Sequence, residues 1–201
     1  MAIESGSANG HGMSMCTDTP SDQPLDAPRG DTNPCPPANG ATPRWLGLRI
    51  TPDGTWLYRG SPIHRIELVK LFASVLRREA DGSFWLVTPA ERGRIEVDDA
   101  PFVAVELAAE GTGRDQTVRL RTNLDAWLTL GPRHPMRLRR PPGQAAAAGP
   151  VPYVEVRAGL EARLARPVYY ELVERGEERL EHGRQRYGVW SEGVFFPLDG
   201  A

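Results

Sequence analysis

Arginine dominates the polar chemistry of this sequence, with 23 arginines against a single lysine, Lys70. Copies that alternate with apolar residues on a strand stand apart from the solvated majority. Val118, Leu120, Thr122 and Leu124 take one face of an alternating segment, and Arg119, Arg121, Asn123 and Asp125 the other. Arg157 ends a second such segment. If that face is covered, the guanidinium groups need anionic or carbonyl partners, because a buried charge without one is costly. Two outcomes stay open: internal ion pairs with Asp or Glu, or a converging set that holds an anionic ligand. Lys70 has Glu67 three residues before it and an ordinary helix pair within reach. Trp190 and Tyr170 could stack on a base or pack in the core.

Other chemistries find less support. His11, His64, His134 and His182 never recur at i+3 or i+4, so no metal site is expected. Cys16 and Cys35 lie in a Pro/Gly-rich amino-terminal stretch, and no glycine-flanked serine of the nucleophile-elbow type occurs. Ser61 reads as a helix N-cap and Ser191 as a turn residue. Asp98-Asp99 is the tightest carboxylate pair, and neighbours on a turn point apart. It would support acid–base work only if one carboxyl were buried beside a cleft and an arginine. Gly111-Thr112-Gly113 has no helix after it and reads as a surface turn, not a phosphate cradle. No catalytic residue, metal or cofactor is assigned.

The elements that must position these residues follow from pattern. Trp45 to Tyr58 reads as a hairpin turned at Pro52-Asp53-Gly54. A helix is expected from Ser61 as N-cap and Pro62 as first residue. Its apolar stripe is Leu68, Leu71, Phe72, Val75 and Leu76, its last turn holds Arg77 and Arg78, and Asp81-Gly82 ends it. Strands are expected over 84–88, 94–98, 102–107, 117–124, 136–139 and 153–157. Residues 160–174 are helical in composition, with a break expected at Pro167, where the main helix starts, and an end before Gly176. Terminal strands cover 177–181, 185–190 and 194–198, with turns at His182-Gly183 and Glu192-Gly193. A strand, a glycine, a helix bearing Glu-Leu-Val and a hairpin with a Trp occur twice. The first copy has Gly60, Glu67-Leu68-Val69 and Trp85; the second has Gly159, Glu171-Leu172-Val173 and Trp190. Two α+β halves packed together are expected.

Composition bounds the rest. Of 201 residues, 40% are hydrophobic and 25% charged, with a formal net charge of −2. Residues 1–43 hold seven prolines and no aromatic residue and read as a disordered tail. Domains are expected at 44–98 and 99–201, the second with a loop insertion at 140–150. The tail has one arginine against five acids, and the remainder carries no strongly basic field that would hold duplex nucleic acid. No apolar run is long enough to cross a membrane, and Met1 to Gly12 lacks a secretory leader's basic start and apolar stretch. With both cysteines in the tail there is no disulfide framework, and a cytoplasmic setting is expected.

Ordered blocks along the folded part resemble the bacterial domain-of-unknown-function family 1285. They include Asp53-Gly54-Thr55-Trp56, Gly60-Ser61-Pro62-Ile63, Trp85-Leu86-Val87-Thr88-Pro89, Asp99-Ala100-Pro101-Phe102 and Arg121-Thr122-Asn123. Gly131-Pro132, His134-Pro135, Gly159-Leu160-Glu161-Ala162 and Gly188-Val189-Trp190-Ser191 continue the match to the end. The resemblance implies an α+β fold of two structurally repeated halves, each a helix packed on a mainly antiparallel sheet, the second loosely like a pleckstrin-homology module. It also implies a site at the interface of the halves for a nucleotide-like molecule, and a link to signal transduction. It supplies no catalytic residues. Within the matching blocks, Lys70, Arg121 and Arg157 are the candidates to meet phosphate or carboxylate oxygens. Asn123 would read a polar edge, Trp190 would stack, and Arg166 is a further cationic candidate. The expected function is non-enzymatic sensing of a small anionic ligand. The alternative is a protein-interaction adaptor with no small ligand, and an enzyme of unrecognised type stands third.

Overall fold

The structure, a computed structural model, describes residues 44–143, 149–181 and 183–199. The tail 1–43, residues 144–148 of the expected insertion and His182 of an expected turn lie outside the described residues.

The first hairpin forms as its turn residues dictate. β1 (Trp45–Ile50) pairs antiparallel with β2 (Trp56–Tyr58), Ile50 opposite Trp56. Gly54 takes φ +82° in the turn, where a residue with a Cβ would be strained.

The helix differs from the expected one. Ser61 and Pro62 form a short strand, β3 (Ser61–Pro62), paired to Leu57 and Tyr58. Helix α1 is Ile66–Ser74, with Arg65 at its N-cap and no side-chain cap. The ladder to β2 outcompetes the local capping signal, and Pro62 fits on an edge strand where no N–H is needed. At the other end, Leu76 and both arginines join β4 (Leu76–Arg78), where Leu76 pairs with Leu86. The stripe therefore splits. Val69 and Ala73 are buried, Leu68, Phe72 and Val75 are half-buried, and Leu71 stays 60% exposed.

β5 (Phe84–Val87) and β6 (Arg92–Val97) complete a first six-stranded sheet ordered β3-β2-β1-β6-β5-β4. The second contains β7 (Phe102–Glu110), β8 (Thr117–Thr122), β9 (Trp127–Thr129), β10 (Met136–Arg139), β11 (Val151–Arg157) and β12 (Leu160–Leu164). Its order is β9-β8-β7-β12-β11-β10, the first sheet's with every number raised by six. In each, two antiparallel three-stranded pieces meet at one parallel pair, β1 with β6 and β12 with β7. The fold is α+β with two repeated halves, and the repeat lies in this strand order.

The helices do not occupy equivalent places in it. α1 links β3 to β4, whereas the matching link from β9 to β10 is a turn bridging Gly131 and His134. α2 (Arg166–Glu174) follows β12 instead. Residues 160–164, helical in composition, are strand because Leu160, Ala162 and Leu164 alternate into the core and pair on both sides. Pro167 then sits in the first turn of α2, the one helical position that tolerates it.

A third sheet, β13 (Glu177–Glu181), β14 (Arg184–Ser191) and β15 (Val194–Pro197), closes the chain. One hydrophobic core runs through all three, joining Trp56 and Leu76 to Leu120, Leu164 and Val189. Ser191, read from sequence as a turn residue, is fully buried at the end of β14. Its hydroxyl donates to the Leu130 carbonyl (2.6 Å) and accepts from the Val118 N–H (2.9 Å), tying the third sheet to the second. Ser191→Ala leaves both backbone groups unpaired, and equilibrium urea unfolding should read a loss of about 2 kcal/mol.

Candidate functional site

Helix α1 has two working sides. Leu68, Phe72 and Val75 turn toward the first sheet, while Lys70, Ala73 and Ser74 turn toward the second. On that second side lies a cleft of about 290 Å³ between the halves. Phe102, Leu124 and Val156 give it apolar walls, and Lys70 and Arg157 bring its charge.

Four of the six residues singled out from sequence meet along this seam. Lys70 Nζ lies 2.9 Å from Asp125 and 3.9 Å from Glu67. Arg121 donates to Glu106 (2.6 Å) and to the same Asp125 (2.9 Å). Both cations are thus matched by carboxylates, the internal ion-pair outcome. Lys70 first, then Arg121, holds the Asp125 carboxyl below its ordinary value. That contribution to stability is complete above the unfolded carboxylate pKa of about 3.9 and is lost as pH falls through the lower folded value. Asp125→Asn should therefore flatten the acid limb of a pH–stability profile without altering the limb above neutrality.

Asn123 is a joint between the halves. Its Oδ1 accepts the Val103 N–H (3.1 Å), and its Nδ2 donates to the Gly54 carbonyl (3.2 Å) in the first hairpin's turn.

Arg157 differs from the others. Its guanidinium reaches across the seam and donates to the Ala73 carbonyl at the end of α1, where the helix dipole favours a cation. Its Nε is buried with no hydrogen-bond partner, and among the described residues no carboxylate pairs with it. Burial, with a smaller push from Arg77, pulls its pKa below the usual arginine range.

The remaining two lie elsewhere. Arg166 is exposed at the start of α2 and does not line the cleft. Trp190 is buried in the third sheet, donating to Glu177 (2.6 Å), edge-on to Phe195 (5.3 Å) and under Arg114 (5.4 Å). Its ring serves packing there, so the structure does not bring it to the seam.

Sequence reasoning missed a second polar constellation on the same interface. Asp98 turns outward to Arg49 (2.9 Å), while the Asp99 side chain is only 3% exposed. The Tyr153 hydroxyl donates to Asp99 at 2.7 Å, and Arg139 (3.5 Å) and Arg163 (3.4 Å) flank it. Arg139 also stacks 3.6 Å over the Tyr153 ring and pairs with Glu161 (3.2 Å). Burial first, then Asp99, pushes the Tyr153 phenol up, so it stays a donor. Asp99 borders a pocket of about 350 Å³ with Arg78, Phe84 and Gly159. Asp99 thus meets the condition set for acid–base work, a buried carboxyl beside a cleft and an arginine, while both of its oxygens accept from the Tyr153 hydroxyl and anchor the cluster. The one visible signal was the Asp98-Asp99 pair itself, because its partners are 40 to 64 residues away.

Comparisons with known proteins bear on residues 36–198. Residues 36–100 match the family model described as "Domain of unknown function (DUF1285), N-terminal domain", and 101–198 match "Protein of unknown function (DUF1285), C-terminal domain". A crystal structure of a DUF1285 family protein from Silicibacter pomeroyi is similar, with 44% identity and a TM-score of 0.69, covering 78% of this chain and 83% of that one. A DUF1285 family protein from Shewanella baltica shows 24% identity and a TM-score of 0.49 over 65% of this chain and 92% of its own. Among curated proteins none matches. No helix among the described residues is long and apolar enough to cross a membrane.

Proposed function

Since this chain belongs to the DUF1285 family of proteins of unknown function, we propose that it is a non-enzymatic binding module for a small anionic, nucleotide-like ligand, held between halves 44–98 and 99–201. The observation that carries the reading is Arg157, a partly buried guanidinium lining the interface cleft with an unpartnered Nε and no carboxylate. A buried cation left with a single carbonyl is poorly compensated, and an anion in the cleft supplies what is missing. The apolar walls from Phe102 and Val156 suit the flat face of a base. Lys70 adds a second charge by exchanging its Asp125 contact for the ligand. A ligand that bridges α1 and the second half gives such a module a route into cytoplasmic signalling.

A protein-interaction adaptor without a small ligand is the second reading. It is favoured by Leu180, 74% exposed on the edge strand β13.

A thermal-shift screen of the full chain against ATP, GTP, cyclic dinucleotides and pyrophosphate separates the two. An anion at 100 times its Kd should stabilise the native state by about 2.7 kcal/mol. Arg157→Gln should remove that shift while costing the unliganded fold about 1 kcal/mol for the lost bond to Ala73. A folded protein that responds to none of them overturns the ligand reading in favour of the adaptor.

A further inference from the structure

A cavity larger than the interface cleft lies away from the interface. It measures about 540 Å³ and is lined wholly by residues 44–93, between the face of the first sheet and the apolar side of α1. Leu46, Leu48 and Leu86 form the strand side, and Leu68, Phe72 and Val75 the helix side. Trp45 and Tyr58 stand at its mouth, 52% and 46% exposed. The volume and apolar walls fall in the range of small-molecule sites.

Two local features shape the opening. The pairing of β1 with β6 slips between Trp45 and Arg49, where Gly47 takes φ +68°. That bulge turns the Gly47 carbonyl to accept the Arg59 N–H at 2.8 Å. Gly93 lets the Leu46 side chain lie flat on the strand, since a Cβ there would come within 2.3 Å of it. Arg59 itself sits at φ 49°, a left-handed conformation that costs a non-glycine residue about 1 kcal/mol.

The polar groups at the mouth set the ligand's charge. Arg44 is neutralised by Glu91 at 3.0 Å. Arg59 lies 5.2 Å over the Tyr58 ring, and among the described residues no carboxylate pairs with it. An apolar pocket with one unpaired cation at its entrance is complementary to an amphiphile with a single negative head. We propose that this first-half cavity is a second binding site, separate from the interface cleft, for a medium-chain aliphatic carboxylate. The chain lies along Leu48, Leu86 and Phe72, and the carboxylate meets Arg59 at the mouth.

The test is titration calorimetry of the full chain with hexanoate, octanoate and decanoate below their micelle concentrations, with decanol as the uncharged control. Affinity should rise about fourfold per added methylene, the transfer value for a buried CH2. Decanol should bind at least tenfold more weakly than decanoate, and Arg59→Gln should bring decanoate down to the decanol level. Leu68→Trp, at a half-buried helix position on the cavity wall, should abolish binding of both while the far-ultraviolet spectrum stays unchanged. Absence of decanoate binding overturns the proposal. So does binding independent of chain length, equal affinity for decanol, or full binding by a folded Leu68→Trp protein. If Leu68→Trp does not fold, the chain-length series and Arg59→Gln decide alone.

Discussion

Replacing Asp99 with alanine is expected to cost the fold about 4 kcal/mol, the largest single effect anticipated in this protein. Removing one partner of a buried ionic cluster leaves the others uncompensated, which costs about 3–5 kcal/mol. Here Arg139, Arg163 and the Tyr153 hydroxyl would all lose their shared acceptor. Arg139 keeps Glu161, which limits the damage to the inner groups. Tyr153→Phe should be far milder, about 1 kcal/mol, because Asp99 keeps both guanidiniums. Urea unfolding of the two variants checks the contrast. Equal losses, or a loss below about 1 kcal/mol for Asp99→Ala, would show that the cluster is not the anchor the geometry describes.

Gly54→Ala should be nearly as severe, about 3 kcal/mol. The left-handed φ of +82° costs about 1–2 kcal/mol for a residue with a Cβ. That Cβ would also fall 2.5 Å from Asn123 Nδ2 and 3.0 Å from Val103, an overpacking worth about 1–3 kcal/mol more. The two positions are coupled across the interface of the halves, so the effects should not add. In the double variant Gly54→Ala/Asn123→Ala the overlap with Asn123 disappears, and the loss should fall below the sum of the single losses by about 1 kcal/mol. Strict additivity would mean that the hairpin turn does not bear on Asn123.

Much of this architecture is legible in the sequence where a local rule decides it. The Asp53-Gly54 hairpin, the alternation of Val118, Leu120 and Thr122, and Pro167 at the start of α2 each follow from one short-range preference. Errors fall where a long-range ladder overrides such a preference. Ser61-Pro62 carries a good capping signal but pairs with β2, and Leu160 to Leu164 reads as helix but bridges β11 and β7. The identical strand order of the two sheets leaves no trace in the chain's letters, because a shared topology needs shared periodicity and not shared residues. The Glu-Leu-Val triplets pointed instead to two helices that hold different places in the fold.

The candidate site divides in the same way. Charged residues on a strand face were identifiable, and Lys70, Arg121, Asn123 and Arg157 do gather at the seam. Which of them would be neutralised depends on Glu106 and Asp125 closing in from neighbouring positions, and that is set by tertiary packing. Trp190 went the other way. Its conspicuous ring is consumed by Phe195 and Glu177 of the third sheet and by Arg114 from the link between β7 and β8. Arg157 keeps an unmatched guanidinium because the Ala73 carbonyl, and no acid, is what α1 presents to it.

The measurement that tests the central claim most directly is the nuclear magnetic resonance signal of the arginine guanidinium Nε–H groups in the full chain, recorded as pyrophosphate or ATP is added. The signal lost in Arg157→Gln identifies the residue. An anion held in the interface cleft should move that one resonance strongly and slow its exchange with water, while the paired Arg121 signal shifts little. An Arg157 signal that stays in place while pyrophosphate and ATP are brought to millimolar concentration would contradict the assignment of this cleft as the anion site.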